Sequence, residues 1–130
     1  MVQKLDTVLL IEDSPLFRRM MADYLAGLGF TRVVEAASGR AAMELLERER
    51  PGLVCMDLVL PDISGYDLCE YIRGQEVLAQ VPILMISART LTVDRAQAEE
   101  VGVDGYLTKP FTREEFVLQV QRVLARPARE

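Results

Sequence analysis

The chain has 130 residues, half of them apolar and 27% charged, with a formal net charge of −5 and no histidine. That is the length of one domain and the composition of a globular protein, not of a disordered or fibrous one. The acidic balance disfavours non-specific nucleic-acid binding, which draws on Lys and Arg, and the missing imidazole excludes any mechanism in which this chain supplies its own histidine.

In chain order, Val8 to Ile11 predicts a first strand. A helix follows, on which Phe17, Met20, Met21, Tyr24, Leu25 and Leu28 form one apolar stripe at helical spacing. Ser14 suits its cap, Pro15 its first position and Gly29 its stop. Arg32 to Ala36, with Val33 and Val34, reads as a weaker strand. A second helix is expected from about Gly39 to Arg50, capped by Ser38, buried through Ala42, Leu45 and Leu46, and ended by Pro51 and Gly52. Leu53 to Met56 is the third strand, and the helix after it starts at Ser64 and packs through Leu68, Cys69 and Ile72. Val81 to Ile86, with Pro82 inside, is the fourth strand. A poor helix follows from about Val93 to Val101, with Ala96 and Val101 as its main apolar points. Tyr106 and Leu107 mark the fifth strand, and Thr112 with Glu115 opens the last helix as a capping box, burying Phe116, Val120, Val123 and Leu124.

Continuous apolar runs suit strands covered on both faces. Five β-α units of about 25 residues therefore predict a parallel sheet with helices on both sides. No linker or low-complexity segment divides the chain, so residues 1–130 are expected to form a single domain. Apolar runs of four or five residues fall far short of the ~18 that a membrane span needs, and no signal-peptide pattern opens the chain. Cys55 and Cys69 lack metal-ligand spacing and read as buried reduced thiols, which fits a cytoplasmic location.

The informative residues end the strands: Glu12 and Asp13 the first, Asp57 the third, Ser87 the fourth, with Lys109 after the fifth. Ligands of open α/β sheets bind at the carboxyl ends of the strands, so these side chains are expected to converge on one crevice. Three carboxylates held together repel one another, and Mg²⁺, which takes one or two carboxylates plus waters and a phosphate, resolves this. A metal, a lysine and a hydroxyl around one carboxylate are the parts that stabilise a transferring phosphoryl group, and a carboxylate nucleophile leads to an acyl phosphate. Taken singly, each residue has a plainer explanation: Asp13 as a helix-start acid, Ser87 as a cap, Tyr106 as strand surface, and Asp62 as a turn residue beside Pro61 rather than a ligand.

These motifs occur in order: Ile11-Glu12-Asp13-Ser14, Met56-Asp57-Leu58-Val59-Leu60-Pro61 with Gly65, Ile86-Ser87-Ala88, and Gly102-Val103-Asp104-Gly105-Tyr106-Leu107-Thr108-Lys109-Pro110-Phe111. Together they resemble the receiver domain of two-component response regulators over nearly the whole chain. The resemblance implies a flavodoxin-like doubly wound α/β fold with a five-stranded sheet in order 2-1-3-4-5 and five helices. It implies that Asp57 is the phosphoacceptor, assisted by Lys109 and Ser87. It implies Mg²⁺ held by Asp13, Asp57 and the backbone carbonyl of Val59, with Glu12 acting through water. It also implies a cis Lys109-Pro110 peptide, a small residue at Ala88, and a switch in which Tyr106 turns inward as Ser87 moves toward the phosphate. The implied donor is a sensor histidine kinase or a histidine phosphotransfer protein. The implied output runs through the fourth helix, fifth strand and fifth helix to an output protein or a tethered output domain. Direct nucleic-acid or membrane binding is not expected, and the oligomeric state is a monomer or a phosphorylation-dependent dimer.

Three other readings compete with this one. An aspartate-nucleophile phosphatase needs a second acid two residues after the nucleophile, where Val59 stands, and it would be a turnover enzyme, whereas a receiver only phosphorylates and dephosphorylates itself. A flavin carrier needs a Ser/Thr/Gly-rich phosphate loop, where Glu12-Asp13-Ser14-Pro15 stands. An unphosphorylated interaction module would not keep all five site positions filled. Ser14-Pro15-Leu16-Phe17-Arg18-Arg19-Met20 resembles stand-alone chemotaxis regulators, which favours a stand-alone protein over the receiver of a longer regulator with a DNA-binding or enzymatic domain. The resemblance also implies that Val59 and Arg89 flank the acceptor and influence phosphate lifetime, and an apolar residue at 59 offers a hydrolytic water no polar help.

Overall fold

Five strands pair in parallel, the second in sequence at one edge and then the first, third, fourth and fifth, one of the orders open to a doubly wound sheet. The computed structural model describes residues 7–88 and 92–127, with 92–94 described by backbone only. The elements are β1 (Thr7–Ile11), α1 (Pro15–Ala26), β2 (Arg32–Ala36), α2 (Gly39–Leu46), β3 (Leu53–Asp57), α3 (Gly65–Arg73), β4 (Ile83–Ser87), α4 (Thr92–Val101), β5 (Gly105–Thr108) and α5 (Arg113–Leu124). A 3₁₀ turn at Glu76–Leu78, which the sequence pattern did not suggest, precedes β4.

The strands' period of two sorts the core into two layers. Leu9, Ile11, Val54, Met56, Ile83 and Met85 meet Ala42 and Leu46 of α2, Leu68, Cys69 and Ile72 of α3 and Ala98 of α4. Val8, Leu10, Leu53, Cys55, Leu84 and Ile86 face the other way, against Met21 and Leu25 of α1 and Phe116, Val120 and Val123 of α5. Burying a side chain such as Phe116 stabilises the fold by roughly 1.5–3 kcal/mol, and its ring also packs against Tyr24 and Phe111 at centroid distances of 5.7 and 5.6 Å.

The expected caps form: Ser14 and Ser38 each accept a backbone N–H in the first turn of their helix, and Thr112 and Glu115 complete the capping box; Ser64, expected as the first residue of α3, caps it in the same way. Three boundaries differ from expectation by two residues or more. The helix α1 ends at Ala26, so Leu28 lies in the turn that Gly29 (φ 100°) closes. The helix α2 ends at Leu46 rather than near Arg50: the next N–H groups, of Glu47 and Arg48, turn to the carbonyls three residues back at 3.3 and 3.1 Å, and the Arg50 guanidinium takes the Leu46 carbonyl at 3.1 Å. The strand β4 begins after Pro82, which has no N–H for the ladder but still offers its carbonyl to Val54 N at 2.9 Å.

One buried ion pair ties the far end of the sheet together. Arg73, at the end of α3, donates to the carbonyls of Gly102, Ala79 and Val81 at 3.0, 3.1 and 2.6 Å and to Asp104 Oδ2 at 2.8 Å. Asp104 Oδ2 also accepts Ile83 N at 2.8 Å. Removing one member of such a pair costs about 3–5 kcal/mol, since the other is left charged and unpaired.

Candidate functional site

The chain leaves β1, β3 and β4 at the same edge of the sheet, so their last residues open into one cleft. It is lined by Glu12, Asp13, Ser14, Phe17, Asp57, Val59, Ser87, Ala88 and Lys109 and has a volume of about 370 Å³. That is at the lower end of ligand sites.

Asp57 ends β3 and is 7% exposed. Its Oδ1 accepts the Val59 N–H at 2.9 Å, and its Oδ2 accepts Lys109 Nζ at 2.7 Å. Lys109 Nζ also donates to Glu12 Oε1 at 2.9 Å and lies 4.5 Å from the centroid of the Phe17 ring. Glu12 is 1% exposed, accepts Ser14 N on Oε2 at 3.1 Å, and is held by its backbone through Ala36 O and Arg18 Nη1. Burial pushes the Glu12 carboxyl up to about 6, against an ordinary 4.5; the Lys109 ammonium and the Ser14 N–H oppose that rise, and the Asp57 charge adds to it. For Lys109, burial alone would favour loss of the proton, but the hydrogen bonds and charges of Asp57 and Glu12 outweigh it and hold the ammonium above its ordinary value.

One carboxylate oxygen from each of Glu12, Asp13 and Asp57 falls within 4.8 Å of the other two. The donors are hard oxygens, and Lys109 supplies one positive charge against three carboxylates, so the set suits a small divalent cation such as Mg²⁺.

Thus Glu12, Asp13, Asp57 and Lys109 come together as expected, with Val59, Ser87 and Ala88 on the same cleft wall. Val59 itself is 61% exposed. Ser87 ends β4 fully buried, and its carbonyl accepts the Lys109 N–H at 2.8 Å. The Lys109–Pro110 peptide is cis. Tyr106 stands apart from the cleft: it pairs with Met85 in the β4–β5 register, half-buried beneath Arg95 of α4, whose guanidinium carbon lies 4.9 Å from the ring centroid. Arg95 Nη2 also donates to Thr108 Oγ1 at 3.1 Å. Arg89 lies outside the described residues.

Several contributors escaped sequence reasoning. Phe17 belongs to the α1 apolar stripe, yet it sits one turn beyond Asp13 and reaches Lys109. Arg18 clamps the Glu12 carbonyl at 2.7 Å and pairs with Glu35 of β2 at 3.1 Å. Asp62 is a turn residue as expected, but its carboxylate also caps α2. Gly65, singled out only as part of a motif, is sterically required: a Cβ there would lie 2.8 Å from Leu58 Cα and 2.9 Å from the Asp57 carbonyl.

A flavodoxin-like doubly wound sheet with an acidic cleft at its carboxyl edge defines a class of phosphate- and metal-handling α/β domains. Residues 8–121 match the family model of the response regulator receiver domain, and the chain belongs to that family, a component of two-component signalling. Receiver domains hold Mg²⁺ in an acidic pocket of this kind and act as signalling proteins rather than turnover enzymes.

Among relatives, the alkaline phosphatase synthesis transcriptional regulatory protein SphR of Synechococcus elongatus is 41% identical over 128 residues, covering 92% of this chain and 49% of its own. The chain spans about half the length of the curated relatives it matches. Among solved structures, the chemotaxis response regulator CheY4 of Vibrio cholerae superposes with a TM-score of 0.86 at 30% identity, covering 92% of this chain and 98% of that one. The receiver domain of sensor histidine kinase PA1611 from Pseudomonas aeruginosa, solved with magnesium in its active-site cleft, has a TM-score of 0.82 at 36% identity and the same coverages. No helix among the described residues is long and apolar enough to cross a membrane.

Proposed function

We propose that this chain is a phosphorylation-dependent switch whose phosphoacceptor is Asp57. A carboxylate oxygen of Asp57 attacks the phosphorus of a phosphohistidine on a sensor histidine kinase or a histidine phosphotransfer protein. The P–N bond breaks, the imidazole leaves, and an acyl phosphate forms. The observation that carries this reading is the acceptor's setting: a buried carboxylate held on one oxygen by Val59 N–H and on the other by Lys109, beside two further carboxylates.

Asp13 and Asp57 would hold Mg²⁺ directly, with the Val59 carbonyl, and Glu12 would do so through water. When bound, Mg²⁺ supplies the positive charge that lets an anionic donor approach three carboxylates. Lys109 is within reach of a phosphoryl oxygen on Asp57, and Ser87 lines the same wall. Phosphorylation adds about −1.5 to −2 charge and three acceptors, drawing Ser87 and Lys109 inward while Tyr106 takes the space Ser87 vacates.

The readout is the α4–β5–α5 face. Its output is an output protein or a tethered domain, and the similarity to transcriptional regulators favours gene regulation as the destination. The chain acts in the cytoplasm as a single domain, as a monomer or a phosphorylation-dependent dimer, without itself binding nucleic acid. An aspartate-based phosphatase is disfavoured by the apolar side chain of Val59, which has no proton to give a leaving group.

Incubation with acetyl phosphate and Mg²⁺ tests the reading. One acid-stable, base-labile phosphate is expected, and Asp57→Asn should abolish it. Undiminished labelling of that variant rejects Asp57 as the acceptor.

A further inference from the structure

We infer that Asp62 is a positioning residue for Asp57: it moors the β3–α3 loop to the first turn of α2 and thereby fixes Val59, whose N–H orients the acceptor carboxylate. The inference rests on the proposed phosphorylation of Asp57.

The mooring is bidentate. Asp62 Oδ1 accepts Gly39 N at 2.9 Å and Oδ2 accepts Arg40 N at 2.7 Å, across more than twenty positions of chain. Oδ1 also accepts Ile63 N at 3.0 Å, which holds the carboxylate in its own turn. Ser38, the local cap of α2, takes the next donor, Ala41 N, at 3.1 Å. Two side chains thus divide the free N–H groups of one helix start. The Arg40 N–H and then the Gly39 N–H hold the exposed Asp62 carboxyl below its ordinary value. Packing locks the same joint: the Ile63 side chain comes within 2.7 Å of where a Cβ on residue 39 would stand, so only glycine admits this approach.

The loop is tied down at its other end as well. Val59 bridges to Ser64, Gly65 N donates to Leu58 O at 2.7 Å, and Val59 N reaches Asp57 Oδ1 at 2.9 Å. Between Val59 and Asp62 lie only Leu60, buried, and Pro61, whose φ is fixed. A shift at Asp62 therefore has little slack in which to dissipate before it reaches Val59. Because β1 lies between β2 and β3, the link joins loops from the two strands that flank the one carrying Glu12 and Asp13. Reacting groups tolerate little displacement: a misplacement of about 1 Å can cost 10²-fold in rate.

The test compares two ways of uncapping α2 in the full chain. The initial rate of Asp57 phosphorylation by acetyl phosphate and the Mg²⁺ concentration giving half that rate are measured beside the thermal midpoint. Asp62→Ala should slow phosphorylation by about tenfold. Ser38→Ala uncaps the same helix but leaves the loop moored, so it should lower the midpoint yet keep the rate within about twofold of the parent. Asp62→Asn keeps one carbonyl acceptor and should restore part of the rate; it carries the test should Asp62→Ala not fold. A parent-like rate in the Asp62 variants, or equal slowing by Ser38→Ala, overturns the inference and leaves Asp62 a helix cap. A parent chain that takes no phosphate at all overturns the proposed function instead.

Discussion

Lys109 Nζ lies 2.7 Å from Oδ2 of Asp57, though the two residues stand 52 positions apart in the chain. The same ammonium donates to Glu12 and sits over the Phe17 ring, so a single positive charge on the lip of the cleft serves two carboxylates. It occupies the place where charge compensation is needed most.

Replacing Lys109 by alanine removes a competing cation and no metal ligand. Mg²⁺ affinity, followed by calorimetry, should therefore stay the same or tighten by up to about tenfold. The spectral change that accompanies phosphorylation should be blunted, because nothing then draws the β5–α5 loop toward the phosphate. A tenfold weaker metal affinity would instead make Lys109 a residue that shapes the pocket.

Glu12 should leave a signature in the pH dependence of the metal-free protein. Its folded-state value of about 6 exceeds the ordinary 4.5, so the folded chain binds its proton more tightly than the unfolded chain does. The contribution is fully present below 4.5 and is lost as pH rises through about 6. Glu12→Gln has no such proton to lose, so its stability relative to the parent should rise across that window, measured by denaturant unfolding. Mg²⁺ should displace the proton and move the Glu12 carboxyl titration, followed by carbon NMR, downward. A difference between variant and parent that stays flat with pH rejects the raised value.

Arg95 fixes Tyr106 from above through the ring face and through Thr108. An exposed cation–π contact is worth about 0.5–1 kcal/mol, so Arg95→Ala should change the ratio of Tyr106 ring conformers in the unphosphorylated chain by about two- to fivefold. Ring proton shifts and couplings of Tyr106 report this directly. Identical spectra in parent and variant would mean that Arg95 does not bias the ring.

Much of the fold was legible because most strands are short continuous apolar runs and most helices carry one stripe and one cap. Thr112 and Glu115 announced α5 from sequence alone. The larger slips, at Leu28, Arg50 and Val81, fall where a turn closes on Gly29, where a long side chain reaches back to a helix end, and where a proline interrupts a ladder. At the site, Glu12, Asp13, Asp57 and Lys109 were legible as polar residues at strand ends. Phe17, Arg18, Asp62 and Arg95 were not, since each acts on a partner that periodicity does not reveal. Asp62 is the plainest example: beside Pro61 it reads as a turn, and nothing local tells that its carboxylate reaches the start of α2.

What the sequence determined unaided is the alternation of strand and helix, because backbone hydrogen bonding and the burial of apolar side chains are governed by near neighbours and their period. The register of the acceptor's carboxylate was decided only in three dimensions. Which oxygen faces Lys109, which faces the Val59 N–H, and how Asp62 steadies the loop depend on the crossing of chain segments far apart in sequence. Electrostatics and hydrogen bonding act over a few ångströms of space and take no account of separation along the chain.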